Sequence, residues 1–349
     1  MNLNHPVTVR VMRIRELVNL TLLVLMSPLV GYEEAIRLIG DNIELNKVGK
    51  ALLTMARHYE QSGVSYDAYF EFLAQRFNNM VEDWRKMSSE VNLSVLMLTM
   101  ALVMLEALMI MLIGVGLAGS ILVLAPLLLM PLIHVNQIKL YDYDYVKPTI
   151  MGLIPALVVY AITRSPAYTI IAFSLGFSTL YMPQFLGFIR LITNLEQRVM
   201  EPILELTWNP NPREITGSSI IEREFSRIRD IAYSIGAPYF VTRAARVVDS
   251  LIFQIKSMFR DNVVYGVLIP VNYIALIEFL RLINSTISST AINTALGSPF
   301  NYHVPSVILL ASALTTAILT GKVIHSIGLG LSIMCVFIIP LLAITPIRM

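Results

Sequence analysis

Two carboxylates stand in apolar company. Glu106 lies about 13 residues into the run Leu93–Val115, and Glu278 about 15 into the run Val263–Ile283. A carboxylate at such depth in a membrane costs roughly 2.5–3.5 kcal/mol on insertion scales, so it is a functional candidate by default. The chemistry open to it is ion or proton handling, or a polar contact that fixes helix packing. Glu278, shortly before Arg281, can also reach out to the interface. Other catalytic sets fail. His5, His58, His134, His303 and His325 stand singly, which argues against zinc. Gly321-Lys322 is followed by no hydroxyl and preceded at the required spacing by Thr316, so no phosphate-cradling loop is expected. An intramembrane aspartyl protease needs two aspartates at depth, and the apolar runs hold none. Asp142 and Asp144, between Tyr141, Tyr143 and Tyr145, read as a solvated interfacial loop. Neither an enzyme nor a cofactor is expected.

The elements that position these carboxylates follow from composition. Of 349 residues, 56% are hydrophobic and 14% charged, with a mean hydropathy of +0.67. That excludes an ordinary soluble enzyme, a disordered chain and a nucleic-acid binder. The single cysteine, Cys335, cannot form an internal disulfide. Runs near the roughly 20 residues that a span needs are Leu93–Val115, Leu117–Val135, Thr149–Ile162, Ala167–Ile189, Val263–Ile283, Val304–Leu319 and Ile324–Ile344. The third is the weakest, being short and crowded by Pro148, Pro155 and Arg164. The expectation is an all-α polytopic membrane protein with about seven transmembrane helices and two cytoplasmic helical-bundle segments. Its parts are 1–92 (cytoplasmic), 93–189 (spans one to four), 190–262 (cytoplasmic) and 263–349 (spans five to seven).

Charge sets the orientation. With the N-terminus in the cytoplasm, 23 of the 26 Lys and Arg fall inside, and only Arg164, Arg281 and Arg348 remain outside. The expected location is the plasma membrane, multi-pass. The stretch Asn284–His303 is then an uncharged outer loop, and Asn284-Ser285-Thr286 in it matches a glycosylation acceptor. Arg10, Arg13 and Arg15 before Leu17–Val30 imitate a signal peptide, but Glu16 and Asn19 interrupt the run and it is too short to span. It reads as a helix packed in a cytoplasmic bundle.

Both cytoplasmic segments show helical periodicity. Leu45, Val48, Leu52, Met55 and Tyr59 recur at three- and four-residue steps, and Gly31, Asp41-Asn42 and Ser62-Gly63 mark helix ends. Ser65 opens a helix through Tyr69, Phe70, Leu73, Phe77 and Met80 that leads, directly or through a successor, into the first span. In the second segment, a helix over Leu191–Leu206 stops at Asn209-Pro210-Asn211-Pro212. Ser218/Ser219 cap a helix with Ile221, Phe225, Ile228 and Ile231 on one side and Glu222, Arg223, Arg227, Arg229 and Asp230 elsewhere. A last helix runs from Tyr239 to about Phe259. The common order of the two halves hints at an internal repeat.

The run Val30-Gly31-Tyr32-Glu33-Glu34-Ala35-Ile36-Arg37-Leu38-Ile39 resembles the opening of the type II secretion F family, in which an apolar helix is followed by a glycine and a second helix. Tyr59–Tyr69, continuing to Ala74-Gln75-Arg76-Phe77, is similar to that family's second helical pair. Leu319-Thr320-Gly321-Lys322-Val323 with Ile327-Gly328-Leu329-Gly330 is similar to the end of its archaeal pilus and archaellum members. The resemblance implies a membrane platform on which a separate cytoplasmic ATPase acts to drive assembly of pilin subunits. It implies membrane lipid and a second copy of the chain (a homo-oligomer, a dimer) as further partners, and no nucleic acid. Four spans between the cytoplasmic segments exceed what bacterial members show. Expected ATPase contacts are Arg57, Arg76, Arg85, Lys86, Arg223, Arg227 and Arg229, read as exposed. The competing class is a secondary transporter using Glu106, Glu278 and the proline-broken third span; some 165 residues of cytoplasmic helix speak against it.

Overall fold

The computed structural model describes residues 14–39, 54–58, 60–63, 65–113, 128, 144–209, 214–215, 217, 219–235, 238–289 and 306–323. These residues are all-α, without a strand. Nine helices carry the description: α1 Ile14–Val30, α2 Tyr32–Ile39, α3 Tyr66–Ile113, α4 Val146–Thr163, α5 Pro166–Thr193, α6 Leu195–Glu205, α7 Ile220–Ile235, α8 Pro238–Ser289 and α9 Ser306–Val323. Apart from Leu128, the second expected span lies outside the described residues, as does the seventh.

The chain divides into two compact units. The first comprises residues 1–89, 135–143 and 187–259, so the two stretches read as separate cytoplasmic segments belong to one body. Its core is made by α1, of which thirteen residues are buried, with Phe70, Phe77, Phe225 and Phe240 fully enclosed. A helix apolar all round must be covered all round. At roughly 1.5–3 kcal/mol per enclosed Leu or Val side chain, α1 anchors the unit as the packed helix its composition suggests. Contacts of α1 with α2 and α7, and of α7 with α6, complete the surround.

Local signals explain the helix ends. Gly31 adopts φ +86°, ends α1 through its N–H to the Ser27 carbonyl at 3.1 Å, and starts α2, where Ala35 N–H meets the Gly31 carbonyl at 3.0 Å. A left-handed residue here favours glycine. The Glu60 carboxylate accepts the Tyr32 N–H at 3.1 Å and would lie 2.7 Å from a Cβ on Gly31. Gly31→Ala therefore meets backbone strain and displaces the Glu60 carboxylate from the Tyr32 N–H, for an expected loss of about 1–3 kcal/mol. Gly63 has φ +67° but nothing within 4 Å of a Cβ. Gly63→Ala should cost only about 1 kcal/mol. Denaturant midpoints of the two purified variants check the ranking; equal midpoints would show that Glu60 adds no cost at Gly31.

Neither α3 nor α8 breaks where the sequence allows it. α3 runs 48 residues through Ser88 and Ser89, and α8 runs 52 through Pro270. Asn284–Ser289 is consequently helical rather than loop. The stretch Leu191–Leu206, by contrast, is interrupted at Asn194, which separates α5 from α6.

The second unit comprises residues 90–134, 144–186 and 260–349. In it Val95, Leu96, Ile269, Leu319 and Val323 form an apolar cluster that joins α3, α8 and α9. Helices α4 and α5 form a hairpin about Arg164, whose φ of +50° closes α4 with an N–H bond to the Tyr160 carbonyl at 2.8 Å. The hairpin is closed at its other end by Gln184, which accepts the Asp144 N–H at 3.0 Å and donates to the Asp144 carbonyl at 3.1 Å. Among the described residues, two helices are long and apolar enough to cross a membrane, Val146–Thr163 and Tyr168–Thr193. The first coincides with the run that reads as weakest in the sequence. Pro155 sits inside it without ending it, and only Pro148, Gly152 and Ala156 are buried.

Candidate functional site

The residues read as partner contacts fall into two groups. Arg57, Arg76, Lys86 and Arg223 are exposed. Arg76 stands over the Phe72 ring at 5.5 Å, and Lys86 pairs with Glu82, one turn earlier, at 2.9 Å. That hydrogen-bonded pairing raises the Lys86 ammonium and lowers the Glu82 carboxyl relative to their ordinary ranges.

Arg85, Arg227 and Arg229 are instead drawn into the first unit, contrary to the reading of an exposed row. Arg85 Nη1 donates to Ser257 Oγ on α8 at 2.6 Å. Arg227 Nη1 donates to Asn19 Oδ1 on α1 at 2.9 Å and to Glu224 at 3.1 Å, while Nη2 reaches the Ile39 carbonyl of α2 at 3.4 Å. The side chain of Arg229 is only 12% exposed and pairs with Asp230 at 3.0 Å. Asn19, which interrupts the apolar run of α1 in the sequence, thus serves as the acceptor that draws α7 onto α1.

Glu222 departs further from its expected solvent-facing position, being 5% exposed. Ser219 Oγ donates to its carboxylate at 2.7 Å, the Ser219 N–H at 3.4 Å, and the Glu222 N–H returns to Ser219 Oγ at 3.2 Å. This is a capping box, and the Ser-x-x-Glu spacing is its sequence signature. Arg198 of α6 adds an ion pair at 2.8 Å. Burial pushes the Glu222 carboxyl up, but the bonds from Ser219 and Arg198 outweigh it and hold the group below the usual carboxylate range. A cavity of about 330 Å³ opens beside it, lined by Arg198, Glu201, Pro202, Glu214 and Ile215 among others.

Arg243 was not marked by periodicity at all. It is 8% exposed, lies over the Tyr66 and Phe70 rings at 4.6 and 4.3 Å, and pairs with Asp67. One turn on, Arg246 pairs with Glu71 at 2.7 Å. These contacts tie α8 to α3 within the first unit. The Tyr69 hydroxyl donates to the Ala56 carbonyl at 2.7 Å, and burial pushes its phenol up to about 12.

The two apolar-run carboxylates are not brought together by anything described. Glu278 is on an exposed face of α8, whereas the side chain of Glu106 on α3 lies outside the described residues. Among the described residues no three His, Cys, Asp or Glu side chains are grouped to hold a metal. Fold and site together define an all-helical protein with a charged, internally tied bundle and a second, apolar-surfaced unit. No known family, curated protein or solved structure matches the chain.

Proposed function

We propose that this chain is a multi-pass platform of the plasma membrane, with about seven spans and a cytoplasmic N-terminus, on which a separate ATPase acts to drive assembly of pilin-like subunits. The observation that carries the membrane part is an inversion of surface along single helices. Up to Trp84, α3 buries Phe70, Phe77 and Trp84 and exposes charge, whereas beyond Leu93 it exposes Met97, Leu98, Met104 and Leu105. α8 likewise exposes Val264, Val267, Leu268 and Val271, and α4 exposes Ile150, Ile154, Leu157 and Val158. Apolar surface on this scale is unfavourable in water and ordinary in lipid. The 23 to 3 division of basic residues supports the orientation. The platform role rests on the resemblance of Val30–Ile39 and Tyr59–Phe77 to the secretion F family, together with the lack of any catalytic set. An exposed Glu278 suits a transporter poorly, because intramembrane carboxylates that move ions face the bundle interior.

Reporter fusions within residues 1–92, near Asn211 and at Lys322 should read cytoplasmic, and fusions near Ser289 external. A cytoplasmic reading near Ser289 would overturn the topology. For the platform role, joint charge reversal of Arg57, Arg76 and Arg223 should lower co-purification with the ATPase several-fold, since rim charges steer encounter. The purified chain should hydrolyse no ATP. Turnover by a pure preparation would end the scaffold reading.

A further inference from the structure

We infer that Asn92 and Asn262 form a register pin that fixes how α3 is seated along α8. Both are nearly fully enclosed, at 4% and 1% exposure, and Asn92 Nδ2 donates to Asn262 Oδ1 at 2.6 Å. They lie immediately before the apolar runs that begin at Leu93 and Val263. The next buried layer is aliphatic, with Val95 and Leu96 of α3, Ile269 of α8 and Leu319 and Val323 of α9, and the half-buried Tyr265 of α8 packs against it. Residue numbers rise together along both helices in these contacts, so α3 and α8 run parallel in the second unit.

A parallel seam of aliphatic side chains discriminates weakly against sliding by one helical turn, about 5.4 Å, because one branched chain replaces another. An amide pair does discriminate. Slid one turn one way, the Asn92 amide faces Gly266 and the Asn262 amide faces Ser88. Slid the other way, Asn92 faces Met258 and Asn262 faces Leu96, and in both cases the buried amide–amide bond is lost. A single buried Asn pair fixes register in parallel helices by this asymmetry, at some cost in stability. The weight of each bond in a membrane is small, so the pair acts through specificity more than through strength. Neither residue touches a reacting group, and both are positioning residues. The inference does not rest on the platform reading, since it concerns only how α3 packs on α8.

The test uses the full-length chain in its membrane with Cys335→Ala. A cysteine at Leu96 is combined in turn with one at Tyr265, Gly266, Ile269 or Tyr273, and oxidative cross-linking is scanned. The parent should give one sharp maximum along α8. Asn92→Leu/Asn262→Leu should still insert but spread the maximum over the neighbouring turn, lowering the ratio of best to next-turn yield several-fold. Asn92→Leu alone should accumulate less well than the double variant, because it removes the Asn92 bond while the Asn262 amide stays buried. Should the double Leu variant fail to accumulate, Asn92→Ala/Asn262→Ala, which adds no bulk, is scanned in its place. A maximum as sharp and as placed as the parent's in the double variant scanned overturns the pin, whatever becomes of ATPase binding.

Discussion

Gly176→Leu is expected to unseat α5 from α4, with a loss exceeding the ~1–3 kcal/mol usual for an overpacked core site. A Cβ on Gly176 would lie 2.5 Å from the Met151 carbonyl oxygen, 2.8 Å from Pro155 Cγ and 3.0 Å from Gly152 Cα. In return, a Cβ on Gly152 would lie 2.8 Å from the Phe173 carbonyl oxygen. These neighbours are backbone or ring, so none can swing aside. Gly152 and Ala156, four residues apart, give α4 a small-residue stripe that lets the helices approach closely, which is how helices gain packing energy when lipid removes the hydrophobic drive. The rest of the interface depends on that approach. Tyr145 stacks on Tyr181 at 5.8 Å, Tyr181 on Phe177 at 5.3 Å, and Phe177 meets Phe173 at 6.0 Å, one ring per helical turn along α5. Gly176→Ala should fall within the ~1–3 kcal/mol range. Gly187→Ala has nothing within 4 Å and should be neutral or stabilise by about 0.5–1 kcal/mol, as alanine does in a helix. Unfolding midpoints of the purified variants rank the three. A Gly176→Leu chain as stable as the parent would show that the hairpin does not need its close crossing.

The same hairpin illustrates what sequence does and does not convey. Apolar run and length mark α4 and α5 as helices, but Pro155 makes the first look weak. The proline is tolerated because its ring fills the space beside Gly176, a pairing between positions 21 residues apart that periodicity does not encode. The same holds for α3 and α8. Ser65 and Pro238 announce their starts through local chemistry, whereas their continuity past Ser88-Ser89 and Pro270 depends on packing along their whole length. The breakers that act, Gly31 and Ser62-Gly63, do so through a backbone conformation that their own residue types encode.

Side-chain roles in the first unit were harder to read for a related reason. A single amphipathic stripe explains Ile221, Phe225 and Ile228 on α7, all fully buried. It also assigns every charged residue of that helix to solvent, which is wrong for Glu222, Arg227 and Arg229. α7 touches both α1 and α6, so the flanks of its stripe are covered too, and the polar groups there are satisfied by Asn19, Ser219 and Arg198. Two signals were legible: the capping-box spacing from Ser219 to Glu222, and the isolated Asn19 in an apolar helix. Amphipathic periodicity does not point to Arg243, whose aromatic and acidic partners lie about 175 residues away.

Arg227→Glu is accordingly expected to damage the fold, and Arg223→Glu, one turn earlier on α7, to leave it standing. Removing the Arg227 guanidinium forfeits its bonds to Asn19 Oδ1 and the Ile39 carbonyl, the links that hold α7 to α1 and α2. A carboxylate in its place would face those same acceptors with Glu224 beside it. Hydrogen bonds to charged groups contribute about 1.5–3 kcal/mol each, and the Arg227 side chain is partly exposed, so solvent offsets some of the loss. A loss of about 2–3 kcal/mol is therefore expected, a large share of a marginal domain's stability. Arg227→Met, which keeps the aliphatic stem but not the charge, should fall between the parent and Arg227→Glu. Arg223 is exposed, and its reversal should change stability by no more than about 1 kcal/mol. The order of effects bears directly on the platform proposal. Lost ATPase binding in Arg227→Glu would report a loosened bundle, whereas the same loss in Arg223→Glu, at parental stability, would report a contact. Denaturant unfolding of each purified variant, followed by co-purification with the ATPase, separates the two. Equal stability of Arg227→Glu and Arg223→Glu would show that the bonds from α7 to Asn19 and Ile39 carry no weight in holding the unit together.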